Sequence, residues 1–146
     1  MTRSFDIKFI HFCRRISVPF ARVALFIVFF WFGALKVAGL SPASPLVQSL
    51  FEATIAFMGF GAFIILFGIF ECLIGILFLI PKTERVVIPL LVIHLITTLG
   101  PLVLLPEATW TGLFVPTLEG QYIVKNVLIV AAAIVVAAHV HITRVK

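Results

Sequence analysis

The sequence is poor in charge and in cysteine. Of its 146 residues only 12% are charged and 62% are hydrophobic, whereas a soluble domain has about a quarter of its residues charged. The two cysteines, Cys13 and Cys72, do not form a CxxC pair, so a dithiol redox motif is excluded and no disulfide framework is expected. The spacings typical of nucleotide-binding loops, serine hydrolases and zinc peptidases are also lacking. These absences exclude the corresponding soluble enzyme classes and leave the long apolar stretches as the main source of information.

Acidic residues are fewer than basic ones, and the formal net charge is +5. A basic chain can bind nucleic acid, but most of its lysines and arginines lie near the ends of the sequence and in one short turn. That distribution forms no basic patch, so we predict no nucleic-acid partner. Anionic lipid at a membrane surface is the better match for these charges.

Four apolar stretches are long enough to cross a bilayer, because about 20 helical residues span its hydrocarbon core. We predict an all-α fold, a polytopic membrane protein in which four transmembrane helices form a bundle over residues 18–140. The predicted helices run over about 18–40, 54–80, 86–105 and 122–140. Ser44 and Pro45 resemble an N-cap and a first helical residue, so the second helix has an alternative start there. Pro101 is expected to kink or end the third helix.

The N-terminal residues 1–17 form a basic amphipathic segment. Four apolar side chains recur at spacings of four, three and four, which places them on one helical face, with basic residues on the rest. The apolar side chains are those of Phe5, Phe9, Phe12 and Ile16. We predict an interfacial helix on the membrane surface, and a regulatory or partner-binding arm is the alternative.

Orientation follows from lysine and arginine, which favour the cytoplasmic side of a membrane. Basic residues occur before the first predicted helix, in the turn at 81–85 and in the tail at 141–146. The loops at 41–53 and 106–121 have none. Four spans with both termini in the cytoplasm satisfy this pattern, so we predict a multi-pass protein of a bacterial inner membrane with a cytoplasmic tail.

The second predicted helix carries a single acid, Glu71, within a stripe of glycines. Gly61, Gly68 and Gly75 recur every seven residues, and Glu71 falls on the same side. Small residues allow close approach of a second helix, and an acid at this depth has to face protein or water. We predict that Glu71 points into the bundle. It is either a proton acceptor or ligand contact, or a protonated acid that joins two helices structurally.

Polar residues also gather at the predicted outer ends of the first and fourth helices. Lys36 and Lys125 lie there, with Asn126 beside the second lysine and Trp31 just below the first. An anionic or quinone-like headgroup would dock between the lysines. The alternative is that the lysines reach water and pair with loop glutamates, which contributes little. Those glutamates are Glu52, Glu107 and Glu119.

His94 shares a helical face with Thr97 and Thr98. An imidazole at this depth shuttles protons with Glu71, ligates haem, or only hydrogen-bonds to a neighbouring helix. The pair His139 and His141 does not share a helical face, and we predict no metal site.

Several short motifs resemble the DoxX-like superfamily of small four-helix inner-membrane proteins. They are Arg22 followed by Gly33-x-x-Lys36, then Glu71-x-x-x-Gly75, then the segment 119–126, EGQYIVKN. Thr97-Thr98 and Pro106-Glu107 are similar to the branch linked to reactive-chlorine resistance. The resemblance covers roughly residues 18–140. Two features depart from this branch: the loop after the first helix is shorter, and His94 has no counterpart.

The resemblance implies a four-helix bundle and a role in quinone-linked thiol or thiosulfate oxidation or in oxidative-stress tolerance. We expect an integral membrane protein of oxidative or reactive-chlorine defence that binds a quinone or similar lipophilic redox molecule. No catalytic motif is found, so an oxidoreductase role stays open. The candidate ligand-binding residues are Arg22, Trp31, Lys36, Glu71, His94, Lys125 and Asn126.

Two other functions remain compatible with the sequence. One is a non-catalytic membrane subunit that holds a partner through the N-terminal helix and the loop at 106–121. The other is a small oligomeric transporter or channel, although four helices are few for a carrier and no inverted repeat is found. A homo-oligomer and a membrane-associated redox partner are both consistent with these alternatives.

Overall fold

The structure, a computed structural model, describes residues 2–55 and 57–139. It contains four helices that are long and apolar enough to cross a membrane, which confirms the predicted four-helix membrane bundle. The spans are Phe5–Val37, Phe60–Leu79, Glu84–Leu104 and Leu118–Ala137. The helices are α1 Thr2–Val37, α2 Ser44–Thr54, α3 Phe60–Leu79, α4 Glu84–Leu99, α5 Pro101–Leu104, α6 Pro106–Thr109, α7 Leu118–Val124 and α8 Asn126–Ala137. Two short strands, β1 Trp110–Gly112 and β2 Val115–Pro116, lie between α6 and α7.

The first helix is continuous from Thr2 to Val37, so the predicted segment 1–17 joins the first span without a break. Pro19, next to the predicted helix start at residue 18, lies inside this helix. At about 1.5 Å per residue the helix is about 54 Å long, which exceeds the roughly 30 Å of bilayer hydrocarbon. The side chains of residues 5–16 are exposed. This basic amphipathic part of α1 therefore extends beyond the bundle.

The second span begins at Phe60, later than the predicted start at residue 54. A separate helix, α2, precedes it and begins at Ser44 with a proline in its first turn, as the alternative start predicted. Ala43 and not Ser44 takes the N-cap position. The two helices are separated because Ile55 and Gly59 both have extended backbones.

The third and fourth spans are each interrupted once. Helix α4 ends at Leu99 and α5 begins at Pro101, which confirms the predicted break at this proline. The fourth span starts at Leu118, before the predicted residue 122, because the Thr117 hydroxyl accepts a hydrogen bond from the Gly120 N–H and caps the helix. The predicted tail at 141–146, which includes His141, lies outside the described residues.

An antiparallel hairpin within the predicted 106–121 loop was not expected from the sequence. Its strands are too short to show a periodic pattern. The Trp110 indole N–H donates to the Leu102 carbonyl at 3.0 Å, which attaches the hairpin to α5.

The core lies where α1 crosses α3, with α4 and α8 against the same side. Its buried apolar side chains are Ala21, Leu25, Phe29, Ile74, Phe78, Val87, Leu91, Leu95, Ala133 and Val136. At the crossing the backbones of α1 and α3 touch at glycines. A Cβ on Gly33 would lie 2.6 Å from the Gly68 carbonyl oxygen, and a Cβ on Gly75 would lie 2.9 Å from the Phe30 nitrogen. A Cβ on Gly61 would meet nothing within 4 Å, so the predicted stripe holds for two of its three glycines.

At one end of the bundle, Arg22 links α1 to the end of α3 and to the start of α4. Its guanidinium donates to the carbonyl oxygens of Phe78 at 3.0 Å and Ile80 at 3.3 Å, and it forms an ion pair with Glu84. The middle of α1 is thereby fixed to the turn between α3 and α4.

Candidate functional site

Three ionisable side chains from three helices meet inside the bundle. Lys36 of α1 donates to Glu71 Oε2 of α3 at 2.6 Å, and His94 Nε2 of α4 lies 2.9 Å from Glu71 Oε1. Only 5% of Lys36, 5% of Glu71 and 6% of His94 is exposed. We refer to these three residues as the Lys–Glu–His cluster. The prediction that Glu71 faces the interior of the bundle is confirmed.

The glycine contact between α1 and α3 brings Lys36 within hydrogen-bonding distance of Glu71. Gly33 precedes Lys36 by one helical turn, and Gly68 precedes Glu71 by the same distance. A Cβ on Gly68 would lie 2.7 Å from the Gly33 carbonyl oxygen and 2.9 Å from Lys36 Cβ. The absence of side chains here lets the helices approach closely, so that Lys36 reaches Glu71 directly.

Phenylalanine rings enclose the imidazole. The Phe67 ring is parallel to His94 at a centroid distance of 5.4 Å, and the Phe29 ring meets it edge-on at 5.0 Å. The Phe70 ring lies at 6.3 Å. The Lys36 ammonium is 5.6 Å from the centre of the Phe67 ring, within the range of a cation–π contact. The cluster therefore lies in an apolar, aromatic environment that strengthens each polar contact.

One polar atom of the cluster has no partner. His94 Nδ1 is buried and makes no hydrogen bond to any part of the chain that the structure describes. A buried polar atom without a partner costs about 1–3 kcal/mol, so such atoms are uncommon in folded proteins. This atom is a point at which a bound molecule would complete the hydrogen bonding.

The predicted outer pair of lysines is divided between two environments. Lys36 turns inward to Glu71, whereas Lys125 is exposed and lies 5.1 Å from the centre of the Tyr122 ring. The loop glutamates 52, 107 and 119 are all exposed. The two lysines therefore have different partners, and a headgroup held between them stays a prediction.

The remaining predicted site residues lie away from the cluster. Arg22, about four helical turns before Lys36 on α1, pairs with Glu84. Trp31 is 63% exposed and borders a shallow groove formed by α1 side chains alone. Asn126 Nδ2 makes a long contact of 3.5 Å with Thr98 Oγ1. None of these three contributes to the cluster of Lys36, Glu71 and His94.

Sequence reasoning missed Glu84 as a structural acid. It is 8% exposed, and it is the first residue of α4. The turn at 81–85 was considered only for its basic residues, and no local spacing links Glu84 to an arginine 62 residues earlier.

Among the described residues, no group of three His, Cys, Asp or Glu side chains is placed to hold a metal ion. Comparison with protein-family models, with curated proteins and with solved structures finds no match for this chain. The arrangement of the site is therefore the main evidence for its function.

Proposed function

We propose that this membrane protein binds a quinone or similar lipophilic redox molecule beside the Lys–Glu–His cluster and serves in defence against oxidative or reactive-chlorine stress. The sequence motifs that resemble the DoxX-like superfamily support the stress-related part of this proposal. The bound molecule would approach from the bilayer, in which it is dissolved. Whether the chain itself catalyses a redox reaction is not part of the proposal.

The observation that carries the proposal is the burial of three ionisable groups at membrane depth. Glu71 lies about 16 Å along α3 from Phe60, near the middle of about 30 Å of hydrocarbon. Even on a lenient scale an ionised residue at that depth costs about 3 kcal/mol to insert. Well-packed apolar residues are often at least as stable as a buried ion pair, so stability alone does not require these three side chains.

The surroundings of the cluster match the chemistry of a quinone. Phenylalanine rings such as Phe29 and Phe67, which pack on the His94 imidazole, suit a flat apolar ring, and His94 Nδ1 is available to a polar group on that ring. A purely polar ligand would have to leave water to reach this position. A molecule that is both ring-shaped and lipid-soluble meets both requirements.

We also propose that both termini lie in the cytoplasm of a bacterial inner membrane. The basic residues of the N-terminal part of α1 and of the turn after α3 support this orientation. The contacts of Arg22 with Phe78 and Ile80 support it too, because they place that turn beside the part of α1 that follows the basic N-terminal segment. The exposed basic face before Ala21 then contacts anionic lipid.

Purification from native membranes tests the proposed ligand. We expect solvent extracts of the wild-type protein to contain a quinone by mass spectrometry and absorbance. Glu71→Gln keeps the side-chain shape but removes the charge, and we expect it to lose the quinone and to lower survival under hypochlorous acid by at least tenfold. Glu84→Gln is the matched control because it weakens the other buried ion pair, and we expect it to retain both.

Three results would count against the proposal. One is a wild-type extract that holds only bulk lipid. The second is normal stress survival with Glu71→Gln, and the third is equal ligand loss in both variants. The same preparation tests the alternative of a non-catalytic subunit, which the exposed N-terminal part of α1 favours. That alternative requires a stoichiometric partner protein that dissociates when the apolar face of Phe9 and Phe12 is replaced.

A further inference from the structure

The hydrogen bonds of Glu71 determine the charge of the cluster. A lysine ammonium has only donors, so Glu71 Oε2 accepts from Lys36. The ion pair at 2.6 Å joins an ammonium to a carboxylate, and both oxygens of a carboxylate are acceptors. The second oxygen of Glu71, Oε1, is therefore also an acceptor. This oxygen faces His94.

The acceptor at Oε1 selects the tautomer of His94. Because Nε2 lies 2.9 Å from a carboxylate oxygen, Nε2 carries the hydrogen and donates it. Lys36 and Glu71 already balance each other, so a neutral imidazole keeps the buried cluster free of net charge. A neutral imidazole with its hydrogen on Nε2 has a bare lone pair on Nδ1.

That lone pair has no donor in the part of the chain that the structure describes. The rings packed around the imidazole belong to phenylalanines, which carry neither O–H nor N–H groups. A quinone carbonyl at this position would bring two acceptors together, which is repulsive. A hydroxyl group would complete the hydrogen bonding of the site.

From this geometry we infer that the site selects the reduced, hydroxyl-bearing form of its ligand, a hydroquinone or a related phenol, and that His94 Nδ1 accepts its hydrogen bond. The inference rests on the proposed function and specifies which redox form is bound. Glu71 and Lys36 are positioning residues, since they act on the ligand through the imidazole.

The same arrangement lets His94 take up the ligand proton. The ligand O–H bond breaks, an N–H bond forms at Nδ1, and the oxygen keeps the electron pair as an oxyanion. The resulting imidazolium is stabilised by the Glu71 carboxylate, as a carboxylate stabilises the histidine of a hydrolase triad. The total charge of site and ligand is unchanged, and no electron is transferred in this step.

Binding of two probes to protein in lipid nanodiscs tests the inference. We expect decyl-hydroquinone, held reduced under argon, to bind at least tenfold more tightly than the matching decyl-benzoquinone. His94→Phe is the informative variant, because a phenyl ring fills the place of the imidazole and offers no acceptor in place of Nδ1. We expect this variant to bind both probes equally, and circular dichroism checks that it keeps the helical content of the wild type.

A spectroscopic measurement on the wild-type protein removes any dependence on that variant. In protein labelled with ¹⁵N-histidine, we expect Nδ1 of His94 to resonate as a nitrogen without hydrogen. Addition of decyl-hydroquinone should shift this resonance, and decyl-benzoquinone should not.

Each contrary result has a distinct meaning. Equal affinity of the wild-type protein for the two probes, or a hydrogen on Nδ1 in the free protein, would overturn the inference and leave the proposed quinone site in place. Retention of the hydroquinone preference by a folded His94→Phe variant would also overturn it. Failure of both probes to bind would reject the proposed function together with the inference.

Discussion

Replacing the whole Lys–Glu–His cluster with apolar side chains is expected to leave the bundle at least as stable as the wild type and to abolish ligand binding. The variant is Lys36→Met combined with Glu71→Leu and His94→Phe. Well-packed apolar replacements of buried ion pairs are often neutral or stabilising by about 1–4 kcal/mol. Glu71→Ala alone should instead lose about 3–5 kcal/mol, because it leaves Lys36 buried without a counter-charge. Thermal unfolding in nanodiscs and bound quinone per chain are the two measurements.

The other buried ion pair provides the matched control for this comparison. Arg22→Met combined with Glu84→Leu removes a pair that joins α1 to the start of α4 and lies away from the cluster. We expect this variant to keep its bound quinone. If the triple variant also kept its quinone, the cluster would be structural, and the proposed site would be wrong.

The second large effect is expected from a single methyl group at residue 68. Gly68→Ala places a Cβ 2.7 Å from the Gly33 carbonyl oxygen, and a backbone atom cannot rotate away. The helices α1 and α3 have to separate, which we expect to cost about 1–3 kcal/mol, in the range measured for overpacking. Since the new methyl group also lies 2.9 Å from Lys36 Cβ, ligand affinity should fall as well.

Gly61→Ala is the control within the same helix, seven residues earlier. A Cβ there meets nothing within 4 Å, and alanine favours a helix by up to about 1 kcal/mol over glycine. We therefore expect unchanged or higher stability and unchanged ligand affinity. Equal unfolding temperatures for the two alanine variants would show that the glycine contact does not hold α1 against α3.

The sequence was sufficient to predict the spans and the direction of Glu71. Long apolar stretches identify membrane helices because few other structures can satisfy the backbone in lipid. An acid on a glycine-containing helical face, such as Glu71 beside Gly68, has to turn toward protein. The same periodicity wrongly included Gly61, because spacing shows which residues share a face but not where the neighbouring helix ends.

The partners of the charged residues were harder to predict. Lys36 is near the end of its helix, where a lysine usually extends toward water, and its partner lies on another helix 35 residues later. Such pairs depend on how the helices pack. No regular spacing in the sequence indicates them. The contact of His94 with Glu71 at 2.9 Å fits two of the three alternatives for this histidine, a proton shuttle with Glu71 and a hydrogen bond to a neighbouring helix. The hydroxyls of Thr97 and Thr98 instead bond to carbonyls of their own helix.

The most direct test of the Lys–Glu–His cluster is solid-state NMR of the labelled protein in lipid bilayers. Magnetisation transfer between ¹⁵Nζ of Lys36 and the ¹³C carboxyl carbon of Glu71 depends on their distance, and the spectrum of Glu71→Gln assigns the signal. The 2.6 Å contact between these side chains predicts strong transfer and a carboxyl signal that spin-labelled lipid chains do not broaden. No transfer, with a carboxyl signal broadened by those chains, would show that Glu71 faces lipid and would contradict the proposed site.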